Sequence, residues 1–149
     1  MVALTPMGGA FLDRAHHFPV RVNFEDTDMT GVVHHPNYLR YMERARSDAL
    51  RLLDIDHRAA VEAGLGYFTI VDLRIKYLRP AKLDDVLMIV SQIHVLRAAS
   101  WIVHQRVMRN DEEVAHADIT VAFLSADGRP KRQPKAWTEA YKVMLKEPQ

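Results

Sequence analysis

Apolar and polar positions change their period along this chain, and each period predicts a different element. Over residues 18–24 they alternate: Val20, Val22 and Phe24 fall on one side, Arg21 and Asn23 on the other, as in a half-buried strand. From Pro36 the period lengthens. Tyr38, Tyr41, Met42, Ala45, Ala49, Leu52 and Leu53 recur at helical spacing, with Arg40, Arg44, Ser47, Asp48 and Arg51 mainly opposite. This predicts a helix over residues 36–53, opened by a proline whose missing N–H would have no intrahelical partner there. Residues 54–65 read as a short helix ending near Gly64 or Gly66. A period of two then returns over residues 67–78, with Thr69, Val71, Leu73, Ile75 and Tyr77 on one face and Asp72, Arg74 and Lys76 on the other. Residues 85–97, 100–109 and 113–124 are three further long strands, and their short connections predict antiparallel hairpins. A basic turn over residues 127–135 leads to a last short helix within 137–145.

The predicted fold is α+β: an antiparallel sheet of about five strands wrapped around one long central helix. Residues 1–17, broken by Pro6 and Gly8-Gly9, read as a mobile lead-in, and residues 18–149 as one domain. A single sheet covers only one face of the helix and leaves its own edges open, which predicts self-association.

Composition narrows the function classes. At 149 residues the chain is the size of one domain, and 48% hydrophobic with 26% charged is ordinary for a soluble one. A net charge of +1 argues against nucleic acid or a membrane surface as the main partner. No apolar run suits a membrane span, and the N-terminus lacks signal-peptide character, so a cytoplasmic location is expected. The absence of cysteine removes thiolate ligands and a cysteine nucleophile. Eight histidines include the pairs His16-His17 and His34-His35, but no ligand spacing for a metal; His94, His104 and His116 read as ordinary strand residues. No serine-hydrolase elbow, Walker loop or dinucleotide turn is present.

What remains is the stretch between the first strand and the helix, Glu25-Asp26-Thr27-Asp28, then Gly31 and His34-His35-Pro36. It sets carboxylates just upstream of a helix N-terminus, where backbone N–H groups and the helix dipole favour negative charge. Such a combination can activate water and stabilise an oxyanion. Acidic residues in this place also serve as caps and turn formers, the role expected of Glu25 and Asp26. Glu43, on the helix beside Arg44 and Arg46, reads as an ion-pair former.

The run FEDTDMTGVVHHPNYLRYMERAR, followed by KYLRPAKLDDVL, resembles the 4-hydroxybenzoyl-CoA thioesterase family, most closely its YbgC-type acyl-CoA thioesterases. The resemblance implies the hotdog fold, hydrolysis of an acyl-CoA without a cofactor, and a homo-oligomer with a dimer as minimal unit and a tetramer expected. It puts the catalytic aspartate at Asp28, as general base or as nucleophile, and the oxyanion donor at the backbone N–H of His35. Only through this resemblance does Glu43, on the helix, become a second candidate base. Gly31 matches the glycine that lets the backbone approach the thioester. His34 is expected in the pocket wall and Tyr38 among the substrate-binding residues, with Thr69 and Val71 lining a partner subunit's pocket. The His35 imidazole is a separate candidate for bonding the water or the thiolate. The CoA phosphates call for cations, and Arg97, Arg129, Lys131 and Arg132 lie at strand ends suited to a pocket mouth. Two other readings stand beside this one: a non-catalytic binder of acyl-CoA or acyl carrier protein, and an enoyl-CoA hydratase, whose D-x-x-x-x-H run is shorter than the Asp28–His35 gap here.

Overall fold

The computed structural model describes residues 3–147. Six strands form one sheet: β1 (Ala10–Leu12), β2 (Ala15–Arg21), β3 (Tyr67–Tyr77), β4 (Val86–Leu96), β5 (Ser100–Arg109) and β6 (Glu112–Leu124). Their order is β1-β2-β4-β5-β6-β3, and every neighbouring pair is antiparallel. The long helix α1 (Pro36–Leu52) is joined by two short ones, α2 (His57–Glu62) and α3 (Lys135–Ala140). The chain leaves β2, runs through α1, places β3 at the far edge, and returns to β4 beside β2. The β4–β5–β6 meander then closes onto β3.

The alternation of each strand decides what the sheet presents to α1. Leu87, Ile89 and Ile93 of β4, Trp101, Val103 and Val107 of β5, and Ala115, Ala117, Ile119 and Val121 of β6 are buried on one face. Against them α1 buries Tyr38, Tyr41, Met42, Ala45 and Ala49. The α1 backbone comes closest to β2 and β4, and the larger side chains fill the space toward β5 and β6.

Three expectations need correction. The sheet has six strands, because β1 is added at one edge; three residues are too few to leave a period-two signature. Much of the predicted lead-in also belongs to strands: Ala10–Leu12 forms β1, and β2 begins at Ala15 rather than Phe18. There His16 is buried, its Nε2 2.7 Å from the Asp48 carboxylate of α1, and the Gly9 N–H donates to the same oxygen at 2.9 Å. A histidine and an aspartate both read as solvent positions until they satisfy one another. Finally, β3 is out of phase in its first half. A register break between Ile70 and Asp72 makes Val71 a bulge, so Phe68 and Ile70, opposite Phe123 and Val121, share the face of Leu73, Ile75 and Tyr77. Thr69 stands opposite Ala122 instead.

Candidate active site

The turn between β2 and α1 is tied down from several sides. The Val22 N–H donates to the Asp85 carbonyl at 2.9 Å and the Asp84 N–H to the Val22 carbonyl at 2.9 Å. A 3-10 turn at Phe24–Asp26 follows. Asp26 is buried and structural: its carboxylate accepts the Asn23 N–H at 2.8 Å, and its carbonyl accepts the His34 N–H and the Asn37 amide, each at 2.8 Å. Thr27 bridges Val33, Val32 bridges Lys82, and the Val33 N–H reaches the Ala81 carbonyl at 2.8 Å. The expected structural role of Asp26 therefore has a direct geometric basis.

This framework holds out a tight turn over residues 28–31. Gly31 closes it with its N–H on the Asp28 carbonyl at 3.0 Å and a φ of +82°, a conformation glycine adopts without steric cost. A methyl group added there would meet nothing within 4 Å, so the space above Gly31 is open to a ligand. Asp28 is exposed, and one carboxylate oxygen accepts both the Thr30 N–H, at 2.8 Å, and the Thr30 hydroxyl. These bonds, the hydroxyl first, hold the Asp28 carboxyl below the usual carboxylate range, and His34 adds to the effect. Thr30 was not singled out from sequence, although an aspartate two residues before a threonine is a signal for such a turn.

His34 and His35 have different neighbours. The His34 Nδ1 lies 3.5 Å from the second Asp28 oxygen, with the ring half exposed. The His35 ring faces Tyr77, with centroids 6.0 Å apart. It is thus the His34 imidazole that reaches the Asp28 carboxylate. His35 occupies the cap position of α1 with helical φ and ψ, and its carbonyl accepts the Tyr77 hydroxyl at 3.1 Å. Among the described residues the His35 N–H donates to no protein acceptor. Tyr38 is buried, its ring tilted against Tyr77 at 5.6 Å, so it supports the turn from below. In the sequence Tyr77 is only an apolar position of a strand, and its contact with His35 depends on how β3 crosses the start of α1.

The structure does not bring every predicted residue to this turn. Val71, 57% exposed at the bulge, and Thr69 lie on the free edge of the sheet. Thr69 lines a groove of 300 Å³ with Glu43, Arg46, Phe68 and Trp101, which places Glu43 well along α1 and away from Asp28. Arg97, Arg129, Lys131 and Arg132 gather at the opposite end of the sheet. There Tyr67 pairs with Leu124, the Lys131 ammonium donates to the Leu65 carbonyl at 2.6 Å, and Gln133 bonds the Arg97 carbonyl. Arg129 lies 3.6 Å from Asp127, while Arg97 and Arg132 have no ion pair among the described residues. The length of β3, about 30 Å, separates this group from Asp28 within one chain.

Comparison with known proteins bears on the chemistry of this turn. The model of the thioesterase superfamily matches residues 30–116, more than half of the chain. An acyl-CoA thioesterase YbgC from Haemophilus influenzae is 37% identical over 132 residues, covering 89% of this chain and 95% of its own length. A long-chain acyl-CoA thioesterase FadM from Escherichia coli is 32% identical over 108 residues, covering 72% of this chain and 80% of its own length. A 4-hydroxybenzoyl-CoA thioesterase, solved as an aspartate-to-asparagine variant with 4-hydroxybenzoyl-CoA, superposes with a TM-score of 0.77 at 27% identity, over 85% of this chain and 98% of its own. The six-stranded antiparallel sheet with the helix at Pro36–Leu52 is thus the hotdog architecture of those enzymes. On the family match and the extent of these similarities, the chain belongs to the thioesterase superfamily and is a thioester hydrolase.

Proposed function

We propose that this protein hydrolyses an acyl-CoA to the carboxylic acid and free CoA at the turn carrying Asp28. The observation that carries the reading is one juxtaposition: an ionised, exposed carboxylate and a backbone N–H without a protein acceptor flank an open glycine turn at a helix start. The thioester carbonyl oxygen takes the His35 N–H, where the dipole of α1 favours the negative charge that develops in the transition state. Along the general-base route, Asp28 takes a proton from water as the water oxygen bonds to the carbonyl carbon; the oxyanion then collapses and the C–S bond breaks. Along the nucleophilic route, an Asp28 oxygen bonds that carbon, CoA thiolate leaves, and water cleaves the mixed anhydride. The His34 imidazole, beside Asp28, is placed to give the departing thiolate its proton. In single turnover in 18O-labelled water, label in Asp28 identifies the nucleophilic route with water attacking the Asp28 carbonyl carbon of the anhydride, and trapping of the acylated enzyme identifies that route when water attacks the acyl carbon.

The free β3 edge, with Ile70, Val71 and Leu73 exposed on it, supports a dimer joined at this edge. A two-fold axis there sets the Tyr77 end of one β3 beside the Tyr67 end of the other. The basic group of one copy then stands near the Asp28 turn of its neighbour, with Thr69 and Val71 between. That arrangement gives Arg97, Arg129, Lys131 and Arg132 access to the CoA phosphates, which a single chain denies them.

The test is free-thiol release from short aliphatic, long aliphatic and aromatic acyl-CoAs, with the parent protein and Asp28→Asn side by side. Asp28→Asn is expected to lose at least about a hundredfold in rate with unchanged folding. Equal activity of the two proteins would move the assignment to Glu43. The close approach of His34 to Asp28 also suits a hydratase, and formation of a hydroxyacyl-CoA with no thiol release would replace the thioesterase reading.

A further inference from the structure

Hydrolysis at the Asp28 turn leaves one cluster of chemistry-bearing side chains without a role. It lies on the face of the sheet turned away from α1, across β4, β5 and β6. His104 and Asp118 are a directly opposed cross-strand pair, with the His104 Nδ1 2.8 Å from an Asp118 oxygen. His94 belongs to the outer face of β4 at a register break between Ile93 and Val95, and its ring stacks on that of His104 with centroids 4.9 Å apart. One ligating atom from each of the three lies within 4.8 Å of the others.

We propose that His94, His104 and Asp118 form a binding site for a divalent first-row transition ion, with zinc as its simplest occupant. Two imidazoles and a carboxylate are the donor set such ions favour over calcium or magnesium, which want oxygen alone. Around zinc, donors stand about 3.3 Å apart at bond lengths of about 2.0–2.1 Å, so the widest separation closes by at most roughly 1.5 Å while His104 Nδ1 and the Asp118 oxygen open by about 0.5 Å. Side-chain rotation must supply this adjustment, since β4, β5 and β6 are each paired on both sides and hold their backbones in place. On binding, His104 gives up the Nδ1 proton shared with Asp118 and carries its single proton on Nε2, so that Nδ1 and the Asp118 oxygen both turn lone pairs to the ion. Asp118 is half exposed, which leaves the remaining coordination position to water.

The surroundings set the strength of the site. Arg106, on the same face of β5, and Lys146, near His94, oppose a second cation, while His116 and Glu113 border the trio, 3.6 Å from one another. The alternative is a solvated His–Asp ladder of the kind that stabilises many sheets without any ligand.

Untagged protein, freed of metal with a chelator, is titrated with zinc in a calorimeter and with cobalt under visible spectroscopy. One ion per chain and a tetrahedral cobalt spectrum are expected. His104→Ala and Asp118→Asn should each weaken binding by at least about tenfold. Urea midpoints measured without metal confirm that both variants are folded, and Asp118→Asn keeps the side-chain shape should His104→Ala prove disruptive. Absence of saturable binding overturns the proposal. So does full binding by the triple variant His94→Ala/His104→Ala/Asp118→Asn, because the ion then sits on other histidines.

Discussion

At the scale of single residues, the turn works through groups that restrain one another. Thr30 holds the Asp28 carboxylate with its hydroxyl and its N–H, and the direction of the resulting shift fixes a pH dependence. A carboxyl held below its ordinary 3.8 stays ionised from neutral pH down past that value, so the acid limb of kcat/KM should lie below pH 3.8. Thr30→Val removes the hydroxyl bond and should move that limb upward, toward the ordinary value, with little change in the neutral plateau. A pH–rate profile of the two proteins decides it, and coincident limbs would detach Thr30 from Asp28. Gly31 has a different constraint. Its φ of +82° strains any residue with a Cβ, yet the Cβ itself would touch nothing. Gly31→Ala should therefore lower stability by about 1–2 kcal/mol through backbone strain alone. A larger loss of activity than of stability would show that substrate uses the space above the glycine.

Between elements, polar groups buried under apolar neighbours fix how α1 lies on the sheet. Gln105 of β5 is fully buried; its amide donates to the Met42 carbonyl at 3.0 Å and the Ser91 hydroxyl at 2.9 Å, and its oxygen accepts from Arg46 at 2.8 Å. Gln105→Ala leaves a guanidinium and a hydroxyl without their partner and opens a cavity. A loss of about 3 kcal/mol in urea denaturation is expected. His16 makes the second tie, from β2 to Asp48 of α1. Burial, the larger effect, holds His16 below its ordinary 6.5, against the pull of Asp48. Above pH 6.5 His16 is neutral in both folded and unfolded chains. As pH falls below 6.5 the unfolded chain takes the proton first, so stability declines until the folded His16 also protonates. His57, likewise lowered by burial, acts in the same window. The urea midpoint should fall between pH 7.5 and 5.5, and by less in His16→Gln; a flat midpoint would contradict both shifts.

For the whole molecule, the open edge at β3 is the decisive feature. Charged residues and short length usually blunt a sheet edge, but β3 has 11 residues and exposes Ile70, Val71, Leu73 and Tyr77. If this edge joins two copies and completes two sites, Val71→Asp should shift the protein toward monomer in sedimentation and cut thiol release at least about tenfold. A monomer of undiminished activity would reject the shared site. Among the described residues no helix is long and apolar enough to cross a membrane. Sequence alone determined much of this protein: the long helix from Pro36, the four long strands, the hairpins between three of them, and the turn with Asp28, Gly31 and the two histidines. Those features are local, because period, proline and turn chemistry act over a few neighbouring residues. Tertiary structure decided what depends on distant partners. It made His16 and Asp48 a buried pair, set β3 at the far edge, and shifted the phase of β3 by one residue at Val71. It chose His34 over His35 as the neighbour of Asp28, and gathered His94, His104 and Asp118 from three strands. It also parted the basic group from Asp28 by the length of a strand, because strand order and register are settled by which faces bury each other and not by any single stretch of chain.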